Sequence, residues 1–387
     1  MKYLSSSRVR PVAPLIALTL LLASLVADSY AQGITLPDIG SPSGNLLSPA
    51  EEKRLGQAFM RSVRGSMRVI DQPLMSAYIQ SIGNHLVSNS NAQGRTFYFF
   101  LVDSPQVNAF AGPGGYIGIN TGLVTTTESE SELASVIAHE IAHVTQNHLV
   151  RTFDAVRQMS MPATALAIAA LVLGAASGNT EAGLAAATGL QAGVAQRQIN
   201  FTRAHEEEAD SIGIKALAES DFDPQAMAAF FGRMGKATRL YDSGQLPEYL
   251  RTHPISSNRL ADAQARADQY PYRQTPDRLH YHLLRSTLQV LEFKTPKEAV
   301  EHFHDTLRDR RFRNEDGQRY GYVLALIADE QYAEAAKQLK ILARKNPEEI
   351  AYIATEALLL KKSGQPEKGL QVLRDGLDLY PGNYPLS

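Results

Sequence analysis

The stretch Ala134–Leu149, "ASVIAHEIAHVTQNHL", decides how the rest of the chain is read. It places His139 and His143 four residues apart, with Glu140 beside the first, in a run whose apolar residues Leu133, Val136, Ile137 and Val144 suit a helix. Residues i and i+4 share a helix face, near enough for both imidazoles to reach one zinc ion. Glu140 is then positioned to take a proton from a water on that metal. Burying two imidazoles and a carboxylate on a core-facing helix costs free energy unless a metal or good hydrogen bonds offset it. Just upstream, Thr127 followed three residues later by Glu130 reads as a capping box and predicts the helix start.

A catalytic zinc takes three protein ligands and leaves one position for water. The extended histidine pattern of the metzincins needs a glycine at position 146 and a histidine at 149, where this chain has Gln146 and Leu149, so that class is excluded. The third ligand must come from elsewhere, and "TRAHEEEADSIGIKAL" offers His205, Glu206, Glu207 and Glu208. Glu206 and Asp210 lie four apart on one face, an arrangement that lets Glu206 bind metal while Asp210 orients a ligand histidine. The rest of the acidic run, Glu207 and Glu208, reads as a solvated helix start favoured by the helix dipole. His148 reads as a surface helix residue, and His205 should point away from the metal.

Outward from this centre, "SPAEEKRLGQAFMRSV" opens with Ser48 as cap and Pro49 in the first turn. Leu74, Tyr78, Ile79, Ile82 and Leu86 recur at helical spacing, and "TFYFFLVD" over 96–103 favours a strand. "NAFAGPGGYIGINTGLV" carries a Pro-Gly-Gly turn, so Ala109 and Phe110 should pair with Tyr116, Ile117, Gly118, Ile119 and Asn120 as a hairpin. That second strand is expected to be a sheet edge beside the zinc helix, able to hold an extended peptide by main-chain hydrogen bonds.

Residues 1–31 read as a signal peptide: Lys2, Arg8 and Arg10 precede an apolar run, and "SYA" ends in a small residue at Ala31. A Gly-, Pro- and Ser-rich linker follows over 32–48. The Ala-, Leu- and Gly-rich segment 161–193 has too short an apolar core to span a membrane, and reads as a partly buried flap or as a peripheral membrane contact. There are no cysteines, so no disulfides and no cysteine-based site. A net charge of -2 gives no reason to expect a nucleic-acid partner.

The tail repeats itself. "QYAEAAKQLKILARKNP" aligns with "QPEKGLQVLRDGLDLYP" at a period of 34, pairing Tyr332 with Pro366, Ala336 with Leu370, Leu339 with Leu373 and Pro347 with Pro381. That is the tetratricopeptide period, with small residues Ala335 and Gly369 where two helices pack closely, and "TPKEAVEHF" reads as a degenerate earlier unit at an offset of 36. The last repeat runs into "YPGNYPLS", where a solenoid would normally continue into a polar capping helix, so the expectation is either a longer parent protein or a tail that itself caps the last pair.

"VIAHEIAHVTQNH" followed some sixty residues later by "EEEAD" resembles the gluzincin family that includes the CAAX prenyl proteases and the bacterial membrane protease HtpX. "NAFAGPGG", "FDPQAM", "THPISSNRLADA", the export signal and the repeat tail are similar to its exported, repeat-bearing branch. The resemblance implies one Zn2+ per chain held by His139, His143 and Glu206, with Glu140 as catalytic base and Asp210 as the acidic residue of the glutamate helix. From the residues alone His253 reads as a loop histidine before Pro254; the resemblance implies that it occupies the fourth zinc position and holds the enzyme latent. Arg259 matches a family arginine near the site, either steadying an oxyanion or pairing with the acidic helix.

The expected fold is α+β: a mostly helical metalloprotease domain over 49–268 with a small β-sheet, then an α-helical tetratricopeptide solenoid over 269–387. The resemblance further implies a periplasmic zinc endopeptidase that degrades unfolded or stalled outer-membrane β-barrel proteins and assists their assembly. Its repeats would contact the β-barrel assembly machinery. The rival reading is mainly a repeat chaperone or adaptor with a latent protease site.

Overall fold

A computed structural model describes residues 48–92, 94–152, 155, 202–240, 248–271 and 275–386. The expected leader over 1–31, nearly all of the linker and the segment 161–193 lie outside the described residues. The described part is mostly helical with one small four-stranded sheet. Among the described residues no helix is long and apolar enough to cross a membrane.

Helix α1 (Pro49–Ser66) begins as its sequence demands: Ser48 accepts from the backbone N–H of Glu51, and the Glu51 carboxylate accepts from the Ser48 N–H. Strand β1 (Val69–Ile70) leads to α2 (Pro73–Ser88), which buries Ile79, Ile82 and Leu86. Strands β2 (Tyr98–Val102), β3 (Ala109–Ala111) and β4 (Tyr116–Asn120) complete the sheet. Between β3 and β4 the Pro-Gly-Gly turn sets Gly115 at φ +77, and a Cβ there would lie 2.1 Å from the Thr96 carbonyl. Only glycine fits that position.

The hairpin forms as expected, with Phe110 opposite Gly118, but β4 is not the edge strand. Sheet order is β1-β2-β4-β3: β4 runs parallel to β2 on one side and antiparallel to β3 on the other. With both ladders occupied, Tyr116, Ile117, Gly118, Ile119 and Asn120 have no free backbone edge for a peptide. The border strands of the sheet are β1 and β3, and β3 is the one next to β4.

From β4 the chain passes through α3 (Thr121–Thr126) into α4 (Glu130–Thr145), the helix of the opening stretch. Its N-cap is Ser129, whose hydroxyl accepts from the Glu132 N–H. The Thr127 box is displaced because Thr127 closes α3, its hydroxyl donating to the Val124 carbonyl, and Glu130 is drawn instead to Tyr78 and Arg278. Leu133, Val136, Ile137 and Ile141 of α4 are all buried. Fully burying a side chain of this size contributes about 1.5–3 kcal/mol.

Helix α5 spans 202–219, followed by α6 (Ala226–Leu240), α7 (Glu248–Thr252) and α8 (Ser257–Ala267). Gly213 lets α5 press on α4: a Cβ there would stand 3.3 Å from the backbone nitrogen of His139. Phe230, Phe231 and Tyr249 close the same core from α6 and α7.

The tail consists of α9 (Leu279–Glu292), α10 (Pro296–Arg308), α11 (Glu315–Ala328), α12 (Tyr332–Lys345), α13 (Ile350–Lys362) and α14 (Pro366–Leu379). Its own core holds Phe303, Tyr320, Val323, Leu339 and Tyr352. Helix α9 serves both cores, giving Tyr281, Leu284 and Leu288 to the first and Leu283 to the second.

Candidate metal centre

Helices α4 and α5 face each other with their polar stripes inward, and α7 delivers the loop histidine between them. One turn of α4 carries His139, Glu140 and His143; α5 supplies Glu206 and Asp210; His253 follows α7. His139, His143, Glu206 and His253 each bring a ligand atom to one place, all within 4.8 Å of one another. His139 and Glu140 are 1% exposed and Glu206 4%, while the His143 side chain keeps 13% of its surface open.

The spacing tests whether zinc fits. Tetrahedral zinc with ligands at its usual bond lengths keeps its donor atoms about 3.3 Å apart. Here Nε2 of His139 lies 2.9 Å from Nε2 of His143, 3.3 Å from a Glu206 oxygen and 3.3 Å from Nδ1 of His253. Nε2 of His143 is 3.5 Å from the other Glu206 oxygen, and Nδ1 of His253 is 3.0 Å from Glu206 Oε2. Two imidazole nitrogens facing each other at 2.9 Å need a proton or a metal cation between them. Charge points the same way: the three buried carboxylates Glu140, Glu206 and Asp210 against the one buried guanidinium of Arg259 leave an excess of two negative charges, which a divalent cation balances.

Around this group the supporting contacts are dense. Nδ1 of His139 lies 2.9 Å from Oδ1 of Asp210, which fixes the proton on Nδ1 and leaves Nε2 to donate. Arg259 grips Asp210 with Nε at 2.7 Å and Nη2 at 2.8 Å, and its Nη1 reaches Glu206 at 3.0 Å and donates to the Pro254 carbonyl at 2.8 Å. Of its two readings, the ion pair with the acidic helix is the one this geometry supports. Glu140 Oε1 stands 3.3 Å from Nε2 of His253.

Burial opposes a charge on His139, but its hydrogen bonds to Asp210 and Glu206 prevail and push its pKa up to about 10. Burial alone would raise Glu206, yet hydrogen bonds from His139 and His253 hold its carboxyl far below the usual range. Asp210 is likewise held down against burial by Arg259 and His139. These shifts all express one demand, for positive charge at the centre of the group.

Of the two neighbouring histidines, His148 is placed differently from the sequence reading. His148 is 3% exposed, with Nδ1 at 2.8 Å from Nδ1 of His143, and is not a surface residue. His205 does not reach the cluster of ligand atoms but is also buried, its ring stacked on His148 at 4.1 Å. A glutamine-asparagine pair directly before His148 was the available hint that the helix stops there.

Acid sensitivity follows from these buried rings. Burial pushes His148 down to about 4 and His205 down to about 3, and burial with the nearby His139 charge holds His143 well below its ordinary value. Folded values below the free-imidazole value of about 6.5 mean that the unfolded chain takes up protons first, so stability falls as pH drops through roughly 6.5 to 4. His139 acts in another window: its contribution is present below 6.5 and lost as pH rises towards 10. Chelator-treated protein should therefore show a lower urea midpoint at pH 5 than at pH 7, each neutral-held histidine giving up to about 1.4 kcal/mol per pH unit. An unchanged midpoint would contradict the assignment.

The sequence pattern of peptidase family M48 matches residues 73–267. The chain is similar to the beta-barrel assembly-enhancing protease of Escherichia coli (strain K12), with 35% identity over 356 residues, 92% of this chain and 72% of that one. A putative beta-barrel assembly-enhancing protease of Vibrio cholerae is 36% identical over 344 residues, 89% of this chain and 70% of its own. The mitochondrial metalloendopeptidase OMA1 of Bos taurus is 26% identical over 225 residues, 57% of this chain and 42% of that one.

Proposed function

The chain belongs to peptidase family M48 and is a zinc metalloendopeptidase, and on that premise we propose that it acts in the periplasm on unfolded or stalled outer-membrane β-barrel proteins. The observation that carries the reading is the convergence of His139, His143, Glu206 and His253, with Glu140 against His253. Likeness to proteases named for enhancing β-barrel assembly supports the choice of substrate.

His139, His143 and Glu206 would hold one zinc ion per chain. When bound, zinc supplies Lewis acidity towards a scissile carbonyl and lowers the pKa of water towards neutrality. Glu140 takes the proton that the attacking water gives up and passes it to the leaving amine nitrogen. Asp210 and Arg259 keep His139 in the tautomer that donates through Nε2. A cavity of about 560 Å³ beside Glu140 and His143 is bordered by Ala109, Phe110 and Ala111 of β3 and by Val144 and Leu149, an apolar wall suited to side chains of unfolded polypeptide. The extended substrate pairs with β3, not β4.

Residues 1–31 are the export signal, 49–268 the protease domain, and the tail is a tetratricopeptide solenoid that meets the assembly machinery. Ala299 and Ala335 are fully buried at matching places in α10 and α12, and a Cβ on Gly369 of α14 would stand 2.7 Å from the Ala357 carbonyl. Such close helix approach at the repeat interval supports the assignment. His253 would fill the fourth position on that ion, which favours a protein that spends much of its time latent and serves as an adaptor.

The test is His253→Ala. If the latched form is about nine-tenths of the population, releasing it raises basal cleavage of unfolded casein about tenfold. Zinc content should stay at one per chain. Equal activity in both proteins removes the latch, and zinc absent from both removes the metal reading.

A further inference from the structure

We propose that His148 is a positioning residue for His143, holding it by a hydrogen-bonded relay that ends at Glu208; the proposal rests on the reading of His143 as a zinc ligand. No spacing rule points to His148. In an unbroken α-helix a residue five positions on lies about 140° round the axis from its partner. Here α4 stops at Thr145, and Asn147 takes a left-handed conformation at φ 53 before the chain turns helical again at 148. That break swings the His148 ring back beside the ring of His143, with centroids 4.8 Å apart.

The break is braced from outside. Arg95 donates from Nη1 to the Val144 carbonyl and from Nη2 to the Asn147 side chain, both at 2.9 Å. Asparagine suits the left-handed conformation better than most residues. A loop held this way presents His148 at a fixed place.

The proton positions are then forced one after another. A His143 ring that donates through Nε2 carries its proton on Nδ1. Its neighbour at 2.8 Å is Nδ1 of His148, which must accept that proton's hydrogen bond and so keep its own proton on Nε2. Nε2 of His148 lies 3.1 Å from Oε2 of Glu208, a carboxylate oxygen that can only accept. Glu208 is in turn held by Arg151 at 2.9 Å. Each donor in the series has one acceptor, and the order cannot be reversed while His143 donates to a cation. His139 is oriented directly by a carboxylate, whereas His143 is oriented by a carboxylate acting through a second imidazole. Ring stacking on His205 at an interplanar angle of 10° keeps that imidazole from rotating out of line.

Partners of this kind change metal affinity by roughly 10- to 100-fold when removed. The experiment compares the whole chain with His148→Phe and His148→Asn, measuring zinc dissociation constants by competition with a chromophoric chelator and unfolding midpoints without zinc. Phenylalanine keeps a ring against His205 but offers no acceptor, and should weaken zinc binding roughly 10- to 100-fold. Asparagine puts a carbonyl oxygen where Nδ1 stands and should recover most of that loss. The role is overturned if His148→Phe binds zinc like the parent, or if His148→Asn is as weak as His148→Phe while the metal-free midpoints agree. A parent protein that binds no zinc overturns the metal site itself, which separates the two failures.

Discussion

Glu140→Gln is expected to lower cleavage of an unfolded protein by about 10²- to 10⁴-fold, the usual contribution of a positioned general base. Glutamine keeps the volume and packing of a residue that is 1% exposed, but its amide cannot accept a proton. Zinc content and thermal midpoint should be unchanged, because Glu140 is not among the converging ligand atoms. Cleavage at parental rates by the variant would sink the assignment of Glu140.

The second large effect is expected at Arg259. Its guanidinium, 3% exposed, lies against both Asp210 and Glu206 and rests on the Phe231 ring at 5.0 Å. Arg259→Ala leaves two buried carboxylates short of their cation, and breaking a buried pair in this way typically costs about 3–5 kcal/mol. That is a large part of the 5–15 kcal/mol by which domains are usually stable. The variant should show a much lower urea midpoint, and zinc should restore part of it because the metal supplies positive charge at the same group. A parental midpoint without metal would show that the pair is not needed for folding.

What could be read from the sequence divides by the range of the interactions involved. The pairing of His139 with His143 follows from helical spacing, and that of Glu206 with Asp210 from the same rule on a second helix, but the choice of Glu206 as the third ligand rests on the family resemblance. Such rules need only the local chain. Locating the start of α4 required more, since Thr127 with Glu130 and Ser129 with Glu132 both fit a capping box. Distant partners bear on the choice: Tyr78 and Arg278 hold the Glu130 carboxylate, and the Tyr281 hydroxyl donates to the Thr127 carbonyl from 154 residues away.

The sheet order lay out of reach for a similar reason. Hairpin pairing of β3 with β4 is encoded in a turn, but β2 pairs parallel with β4 across the intervening β3, and no local pattern declares which side of a strand is filled. His148 was misjudged because a helix pattern was continued through Asn147. One residue with positive φ moved it from the surface to the flank of the site.

Helix α9 carries a practical consequence. Tyr281, Leu284 and Leu288 are bricks of the first core although they lie beyond residue 269, where the repeat tail was expected to begin. A truncation made at 269 would strip them out and bare the wall around Thr127, yielding a fragment that aggregates. The severing point lies one helix later, at Phe293–Thr295, where α9 gives way to α10. A fragment ending there bares Leu283 but keeps the metal centre and its core whole, so whatever it fails to bind can be credited to the missing tail helices.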